Sequence, residues 1–451
     1  MAKAKKIPLI EDFNHIPVES LVPEEEQPYP LPEHWKWVRL GTTVKNITVK
    51  TESFDAADKY LGLEDLNTGG GILRISDTHD LKSAKTVFQY GDVLYGKLRP
   101  YLNKHAVASF SGVCSTDILA LRPEKIIDAA YLDFWLSTPF FLNAAITNSK
   151  GVNLPRVSFN SIAQYPFPLP PIEEQKQIVA YLDEKLGKID SVHDKLQDFL
   201  DHAAQRKDNL IQAGVTGHLT EKWREKNQDC SRTMFTNEEL QQVSVPETWK
   251  WLPLGDVATI LNGDRGKNYA GRSTWIDSGI PFVNAGTLQN SVLTEEGMNY
   301  ISKETYSKLN GGKLRPGDIL FCLRGSLGKC ALNTSYQEGA IGSSIAIIRS
   351  GDSANPRFSF YYFLSPISQI MIDEFDNGSA QPNLSAKSLK LFKVPLPPLG
   401  EQKEIARILD EQLERIERTD KLVAEVLERL DTMKQQIVSA ALAGRLSLQV
   451  S

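Results

Sequence analysis

The sequence is poor in cysteine and contains no long apolar run. Its four cysteines, Cys114, Cys230, Cys322 and Cys330, lie far apart among 451 residues. They form neither the C-x-x-C pairs of a zinc site nor a dense disulfide framework, so we expect reduced, structural thiols. No apolar stretch approaches the roughly 18 residues that span a bilayer, and the N-terminal segment lacks the apolar centre of a signal peptide. We therefore expect a cytoplasmic chain without a membrane partner.

The motifs of common catalytic and nucleotide-binding sites are also missing. The sequence has no G-x-x-x-x-G-K-[ST] loop, no strand-linked G-x-G-x-x-G, no H-E-x-x-H helix and no G-x-S-x-G elbow. Its seven histidines are scattered, and both Pro-Pro pairs precede long polar segments instead of forming an amino-methyltransferase motif. We infer that the chain binds and does not catalyse, and that it holds no cofactor or metal of its own.

What the sequence does contain is one pattern that occurs twice. PLPPIEEQKQIVAYLDEKLGKI begins at Pro168, and PLPPLGEQKEIARILDEQLERI begins 227 residues later at Pro395. A Trp-Lys-Trp motif, a Gly-Asp-aliphatic motif and the tails GVTGHLT and ALAGRLS also recur in the same order. A period of this length indicates two copies of a domain with its helix.

Charge divides along the same boundaries. Segments 36–171 and 249–398 each carry +3, whereas segments 172–209 and 399–437 each carry −3, within a net charge of −5. Basic domains in an acidic chain permit localised contact with phosphates. We divide the chain into an acidic, proline-rich extension (1–30), a first globular domain (31–171), a first helical spacer (172–213), a linker and tail (214–244), a second globular domain (245–398), a second helical spacer (399–440) and a C-terminal tail (441–451).

Both spacers carry apolar residues at seven-residue intervals, with a second row three residues earlier, which is a coiled-coil pattern. Either seam could mediate homodimerisation or pack on its own domain. Two seams of equal register in one chain favour an antiparallel intramolecular coiled coil, with His193 and Asp420 at equivalent polar positions. The seam residues are Leu182, Ile189, Leu196, Leu409, Ile416, Val423 and Leu430.

Loops rich in Lys, Arg, Gly and Asn follow the Gly-Asp strands and precede the Pro-Pro segments. Such loops offer cations and close backbone approach for phosphate contact, and arginine can also read guanine edges. A solvated surface loop would have the same composition, and we expect the tryptophans to lie in the cores. We pair the Asn153-Leu154 loop with the Asn383-Leu384 loop. The candidate DNA-binding residues are Lys97, Arg99, Asn103, Lys104, Lys150, Asn153, Arg265, Lys267, Arg324, Ser326, Lys329 and Asn383.

This ordered, duplicated set of motifs resembles the specificity subunit of type I restriction-modification systems. The resemblance implies an α+β fold with two pseudo-repeated mixed α/β target-recognition domains, separated by two long helices in an antiparallel coiled coil. It implies that each domain reads one half of a bipartite site in double-stranded DNA. The helices would set the spacing and dock two DNA adenine methyltransferase (M) subunits. Restriction and translocation (R) subunits would complete the complex, and S-adenosylmethionine, ATP and Mg would belong to those partners.

Two other interpretations remain open at this point. The net acidity favours a duplicated coiled-coil scaffold that joins protein partners without sequence-specific DNA binding. A cryptic nuclease would cleave DNA alone with a divalent metal. The acidic extension before the first Trp-Lys-Trp would be either a flexible arm or a contact for the methyltransferase.

Overall fold

The computed structural model describes residues 8–55, 58–79, 81–227, 243–265, 269–376 and 382–446, and the backbone of 234–237. The chain forms two compact units. The first unit comprises Met1–Gln197 and Glu425–Ser451, and the second comprises Asp198–Ala424.

The first unit carries short strands and short helices ahead of a long helix. Its strands are β1 (Lys36–Arg39), β2 (Val44–Ile47), β3 (Lys50–Thr51), β4 (Lys59–Leu61), β5 (Ser76–Asp77), β6 (Lys85–Phe88), β7 (Val93–Gly96), β8 (His105–Val107), β9 (Gly112–Cys114), β10 (Ile118–Pro123) and β11 (Pro166–Leu169). Its helices are α1 (Ala129–Leu136), α2 (Pro139–Thr147), α3 (Phe159–Ile162) and α4 (Ile172–Asp201).

The second unit repeats this plan after two helices, α5 (Ala203–Val215) and α6 (Glu221–Lys226). Its strands are β12 (Met234–Asn237), β13 (Val243–Pro246), β14 (Lys250–Pro253), β15 (Ala258–Asn262), β16 (Trp275–Ile276), β17 (Ile280–Val283), β18 (Leu288–Gln289), β19 (Val292–Leu293), β20 (Asn299–Ile301), β21 (Ile319–Cys322), β22 (Cys330–Leu332), β23 (Ala340–Ile341), β24 (Ile345–Ser350) and β25 (Lys393–Leu396). Its other helices are α7 (Leu254–Val257), α8 (Lys303–Lys308), α9 (Pro356–Leu364), α10 (Pro366–Phe375), α11 (Ala386–Leu389) and α12 (Leu399–Leu442), whose last turns belong to the first unit.

Corresponding strands have the same order in both units, which confirms the mixed α/β class. The antiparallel sheet β2-β10-β7-β8 corresponds to β15-β24-β21-β22, and the pair β1-β11 corresponds to β14-β25. A second sheet in each unit contains one parallel pair, β4 with β9 and β17 with β23. The duplicated sequence pattern is therefore a duplicated strand topology.

A buried glutamine joins each long helix to its domain. The Gln175 amide nitrogen donates to the carbonyl oxygens of Ile126 and Pro170 (both 2.9 Å), and its oxygen accepts from the backbone N–H of Asp128 at 2.9 Å. The side chain is fully buried. Because Asp128 caps α1, this one amide connects the proline segment, the start of α1 and the first turn of α4.

Gln402 makes the same three bonds in the second unit. Its amide nitrogen donates to Ser353 (2.9 Å) and Pro397 (2.8 Å), and its oxygen accepts from the N–H of Asn355 at 2.6 Å. Asn355 caps α9 as Asp128 caps α1. Each partner lies 227 residues after its counterpart in the first unit, so the duplication preserves the whole hydrogen-bond set.

The glutamate that precedes each of these glutamines forms side-chain hydrogen bonds in addition to its interaction with the helix dipole. Glu401 is fully buried and accepts from Thr220 (2.7 Å), Arg224 (2.5 Å) and the Trp249 indole N–H (3.0 Å). In the first unit the corresponding Glu174 bonds the His34 ring at 2.9 Å. Glu401 therefore ties the segment after α5 to the start of α12.

The first spacer is two helices, because α4 ends at Asp201 and α5 begins at Ala203. At this break the Arg206 guanidinium lies over the Phe199 ring and donates to the Phe199 carbonyl oxygen. The second spacer, α12, is one continuous helix. Among the described helices, none combines the length and the apolar content of a membrane span.

The helix segments of each unit are joined across their seam. In the first unit Lys434 of α12 pairs with Asp190 of α4 at 2.5 Å. In the second unit Asp420 of α12 pairs with Arg206 of α5 at 2.7 Å, and Glu417 of α12 pairs with Lys207 of α5 at 3.3 Å. The order of these pairs shows that α5 and α12 run antiparallel here. All seven predicted seam residues are buried or half-buried: Leu182, Ile189 and Leu409 are buried, and Leu196, Ile416, Val423 and Leu430 are half-buried.

Residues 8–30 pack on the first unit, so the described part of the extension is not a flexible arm. The Ile10 side chain is fully buried, and its N–H donates to the Thr42 carbonyl oxygen at 2.8 Å. The backbone N–H of Val22 donates to the carbonyl oxygen of Trp37 at 3.0 Å, and the Trp37 indole N–H donates to the carbonyl oxygen of Tyr29 at 3.0 Å. The extension therefore covers the edge of β1 that β11 leaves open.

The tryptophans of the two Trp-Lys-Trp motifs pack in or against the cores, and the described cysteines are buried, as the sequence predicts. Trp35, Trp37 and Trp249 are buried in the main cores, and Trp251 packs against the core of the second unit. Three described cysteines are unpaired and buried. Burial raises the pKa of Cys322 to about 11 and the pKa of Cys114 and Cys330 to about 12, so these thiols stay protonated at neutral pH. Cys230 lies outside the described residues.

We expect Gln175→Ala to lower the free energy of unfolding of the first unit by about 3 kcal/mol, because three backbone groups lose the partner that the buried amide gives them. Denaturant unfolding followed by tryptophan fluorescence measures the change. Gln177→Ala is the matched control, since Gln177 is exposed on the same helix and should change the value by less than about 0.5 kcal/mol. Equal effects of the two substitutions would contradict this role.

Candidate nucleic-acid interface

In the first unit two of the predicted loops meet. The loop after β7 contacts the segment before α3 through backbone bonds: Arg99 N–H donates to the Pro155 carbonyl oxygen at 2.7 Å, and Val157 N–H donates to that of Lys97 at 2.9 Å. Arg99 has a positive φ of 52° and an exposed side chain. We name this contact the loop junction of the first unit.

The second unit forms the same junction between the loop after β21 and the segment before α11. Leu384 N–H donates to the Leu323 carbonyl oxygen at 2.9 Å. Arg324 is exposed, and its Nε donates to the Asn383 side-chain oxygen at 2.9 Å. Candidates that lie about 60 residues apart in sequence therefore share one surface in each unit.

The junctions show that our pairing of the Asn153-Leu154 loop with the Asn383-Leu384 loop was wrong by three positions. Ser158 caps α3 and Ser385 caps α11, 227 residues later, each through the backbone N–H three residues on. The counterparts of Asn383 and Leu384 are therefore Arg156 and Val157. The two Asn-Leu dipeptides do not occupy equivalent positions, because that of the first unit lies in a hairpin that precedes the junction.

The corrected register adds a residue that sequence reasoning missed. Arg156 donates through Nε and Nη2 to the two carboxylate oxygens of Asp117, at 3.0 and 3.2 Å. These bonds raise the pKa of the Arg156 guanidinium above its ordinary value. Applying the 227-residue offset to Asn383 would have identified Arg156 from sequence alone.

A polar cleft lies beside the loop junction of the first unit. It encloses about 390 Å³, and its lining includes Lys97, Arg156, Asn46 and Asn160. Two cations and two amides are the groups that bind phosphates and base edges. Lys97, predicted from the sequence, thus lies in a recess with Arg156.

Lys150 and Asn153 lie on the hairpin between α2 and the junction. Lys150 and Arg156 form an isolated antiparallel bridge, and both Lys150 and Asn153 are exposed. The hairpin holds these side chains on the surface that includes Arg99.

Two predicted residues of the first unit help to hold the loops in place. The Lys104 ammonium donates to the carbonyl oxygens of Leu63 and Leu66, at 2.7 and 2.8 Å. Asn103 is buried with a positive φ of 43°, and its carbonyl oxygen accepts from the N–H of Gly69 at 3.1 Å. The ammonium of Lys104 is thus already engaged by the protein, and its contact with DNA stays a prediction.

The remaining candidates belong to the second unit. Ser326 is exposed, and its carbonyl oxygen accepts from the N–H of Lys329, which is half-buried. Gly325 and Gly328 have positive φ angles of 76° and 82°, which let this turn close tightly. Arg265 is exposed after β15, and Lys267 lies outside the described residues.

A repeated ion pair supports the sheet behind each junction. Asp92 of the Gly-Asp motif is buried and binds Arg122 through both carboxylate oxygens, at 2.8 and 2.9 Å. Asp318 binds Arg349 in the same way, at 2.7 Å for both bonds. The sequence predicted a turn at the Gly-Asp motif and missed its arginine partner, which lies about 30 residues away on the neighbouring strand.

A family model described as the type I restriction modification DNA specificity domain matches residues 34–198 and 246–428. The chain belongs to this family. The two matches cover both loop junctions and most of the long helices, so the family pattern is present twice.

Relatives in this family include two Escherichia coli proteins. The EcoBI specificity subunit is 26% identical over 70% of this chain and 66% of its own length, and the EcoKI specificity subunit is 26% identical over 76% and 70%. The MjaVIII specificity subunit of Methanocaldococcus jannaschii is 23% identical over 93% of this chain and 94% of its own length. This chain thus spans about two thirds of the two Escherichia coli relatives and nearly all of the archaeal one.

Solved structures show the same fold. The HsdS subunit of Thermoanaerobacter tengcongensis is 23% identical, with a TM-score of 0.63 over 93% of this chain and 100% of that chain. A chain from a study of complex assembly and conformational transition of the type I R-M system is 24% identical, with a TM-score of 0.68 over the same shares.

We expect Lys104→Met to lower the free energy of unfolding by about 2 kcal/mol, because two backbone carbonyls lose a charged donor. Arg99→Ala removes an exposed side chain and should change the same quantity by less than about 0.5 kcal/mol. Urea unfolding of both variants checks this separation between a structural cation and an interface cation. A larger loss for Arg99→Ala would overturn it.

Proposed function

We propose that this chain is the non-catalytic DNA-specificity subunit of a type I restriction-modification complex, and that each unit reads one half of a bipartite site. The observation that carries the proposal is the repeated loop junction. Both units bring two separate loops together on the same sheet and present an arginine there. A duplicated frame with exposed polar loops suits a DNA site with two halves.

The chemistry of Arg324 supports direct reading in the second unit. Its Nε is engaged by Asn383, which fixes the plane of the guanidinium, and the side chain is exposed. The two terminal nitrogens extend beyond that contact. Arginine in this state binds the O6 and N7 atoms of guanine through two parallel hydrogen bonds.

We also propose that the spacers form a continuous antiparallel coiled coil that sets the distance between the half-sites. The cross-helix ion pairs within each unit, and the full or partial burial of the predicted seam residues, support this arrangement. At about 1.5 Å per residue, α12 alone is about 66 Å long, close to two turns of B-DNA. The half-sites would then be separated by unspecified base pairs.

The partners follow from the same proposal. Two adenine methyltransferase subunits would dock on the spacers, restriction and translocation subunits would join them, and the complex would act on DNA in the cytoplasm. S-adenosylmethionine, ATP and Mg would be held by those subunits. One of the related structures comes from a study of type I complex assembly.

Methylation mapping by long-read sequencing tests the proposal in cells that carry the methyltransferase with or without this chain. A single split motif with methylated adenines, present only with the chain, is the expected result. A stable complex without any new motif would favour the alternative of a duplicated coiled-coil scaffold that joins proteins.

We expect Arg324→Lys to relax the choice of base at one position of one half-site, because lysine cannot make the two parallel bonds to guanine. Discrimination at that position should fall by about 1–3 kcal/mol. The mapped motif of the variant measures this, and the other half-site is the internal control. Relaxation in both half-sites, or in neither, would count against direct reading by Arg324.

We expect Val423→Asp to lower the free energy of unfolding by about 2 kcal/mol and to disturb the spacing between half-sites, because it places a carboxylate in the seam. Leu422→Asp is the control, since the neighbouring Leu422 is 55% exposed. Unfolding curves and the mapped spacing are the two measurements. Equal behaviour of both variants would refute a paired seam at this point.

A further inference from the structure

The hairpin in front of the first junction is closed at its base. Lys150 N–H donates to the Arg156 carbonyl oxygen at 2.8 Å, and Arg156 N–H donates to that of Lys150 at 2.9 Å. Gly151 has a positive φ of 102°, and a Cβ there would lie 3.1 Å from the Leu154 carbonyl oxygen. The tip, residues 151–155, is therefore a short loop that needs glycine at its first position.

Further bonds fix the hairpin to the unit. The Pro155 carbonyl oxygen accepts from the N–H of Arg99 at 2.7 Å. The Arg156 guanidinium is held by both oxygens of Asp117. The tip is thus held by a backbone bond at Pro155 and by side-chain bonds at Arg156. A loop fixed in this way loses little conformational entropy when it binds a ligand.

The tip presents apolar surface to solvent. Val152 is 99% exposed and Leu154 is 46% exposed, although nearby side chains such as Lys150 and Asn153 are polar. Burial of apolar surface is favourable, but nothing in the first unit covers these side chains. They would contribute to the free energy of binding when a partner buries them. The neighbouring cations Lys150 and Arg99 indicate that this partner is anionic.

The first unit has no arginine at the position that matches Arg324. Arg156, the counterpart of Asn383, already uses Nε and Nη2 on its own carboxylate. Leu98 is the position that corresponds to Arg324. Leu98 forms an isolated β-bridge with Arg156, and Arg324 forms the matching bridge with Asn383. The exposed side chains that remain at the tip are the aliphatic groups of Val152 and Leu154 and the amide of Asn153.

We propose that this tip enters the major groove and reads an A·T pair, with the Val152 methyl groups against the C5-methyl of thymine. Asn153 would bind N6 and N7 of adenine, in the same pair or its neighbour. Both contacts belong to the direct-readout chemistry of A·T pairs, and a C5-methyl is found only on thymine. Lys150 and Arg99 would contact the flanking phosphates. This inference rests on the proposed function and names the base class that the first unit selects.

The test uses the full chain with its methyltransferase and duplexes that carry the mapped motif. Each thymine of the half-site read by the first unit is replaced singly by deoxyuridine, which removes only the methyl group. Fluorescence anisotropy measures the dissociation constant. We expect one replacement to weaken binding about fourfold, the effect of leaving one buried methyl unfilled.

Val152→Ser should bind the unmodified duplex about as weakly as the parent chain binds the deoxyuridine duplex. Replacing that thymine by deoxyuridine should not weaken the binding of this variant further. Val18→Ser is the matched control, because Val18 is a 79% exposed valine in the N-terminal extension of the same unit, and this variant should behave as the parent chain. Asn153→Ala should likewise abolish the effect of replacing one adenine by 7-deazaadenine.

The outcomes separate the two levels of the argument. The absence of a sensitive thymine in that half-site, or sensitivity that persists in Val152→Ser, would overturn the inference and leave the proposed function standing. Weaker binding of Val152→Ser, when the parent chain itself binds the thymine and deoxyuridine duplexes equally, would point to a wedge between base steps and would also overturn it. If no methylated motif depends on the chain, both fall together.

Discussion

A single buried amide in each unit carries the connection between a globular domain and a long helix. Gln175 and Gln402 each satisfy three backbone groups, which belong to the proline segment, the loop before a helix cap and the cap residue itself. Neither an acid nor an apolar residue could donate two bonds and accept one in that space. The orientation of each long helix relative to its own sheet depends on this requirement.

The two units keep the frame constant and change the groups on its surface. Asp92 with Arg122, and Asp318 with Arg349, are the same ion pair on corresponding strands. At the loop junction the counterparts differ, since one unit has Arg156 bound to Asp117 and the other has Arg324 bound to Asn383. Because the surface chemistry differs while the backbone contacts agree, the two units can select different bases without a change of fold.

Much of this organisation could be predicted from the sequence, because the 227-residue offset between the two proline segments with their helices and the heptad rows need only spacing. Long-range side-chain partners could not. Lys104 has the composition of an interface residue, yet its ammonium binds two carbonyls about 40 residues away. The Asn153-Leu154 pairing failed because the two loops have the same length but carry the Asn-Leu dipeptide three positions apart. The packing of residues 8–30 was also hidden, since the acidic residues that suggest a flexible arm alternate with buried anchors such as Ile10 and Val22.

The first unit takes part of its core from the last turns of α12, where Val438, Ala441 and Leu442 are buried among residues of the first 200 positions. Gly444 lies so close to Pro32 that a Cβ would meet its ring at 2.5 Å. During synthesis, the ribosome must therefore pass residue 442 before the domain that was made first can close its core. The second unit is continuous in sequence and has no such delay. The order of folding would then reverse the order of translation, and the first domain would depend on nascent-chain protection until its final segment emerges.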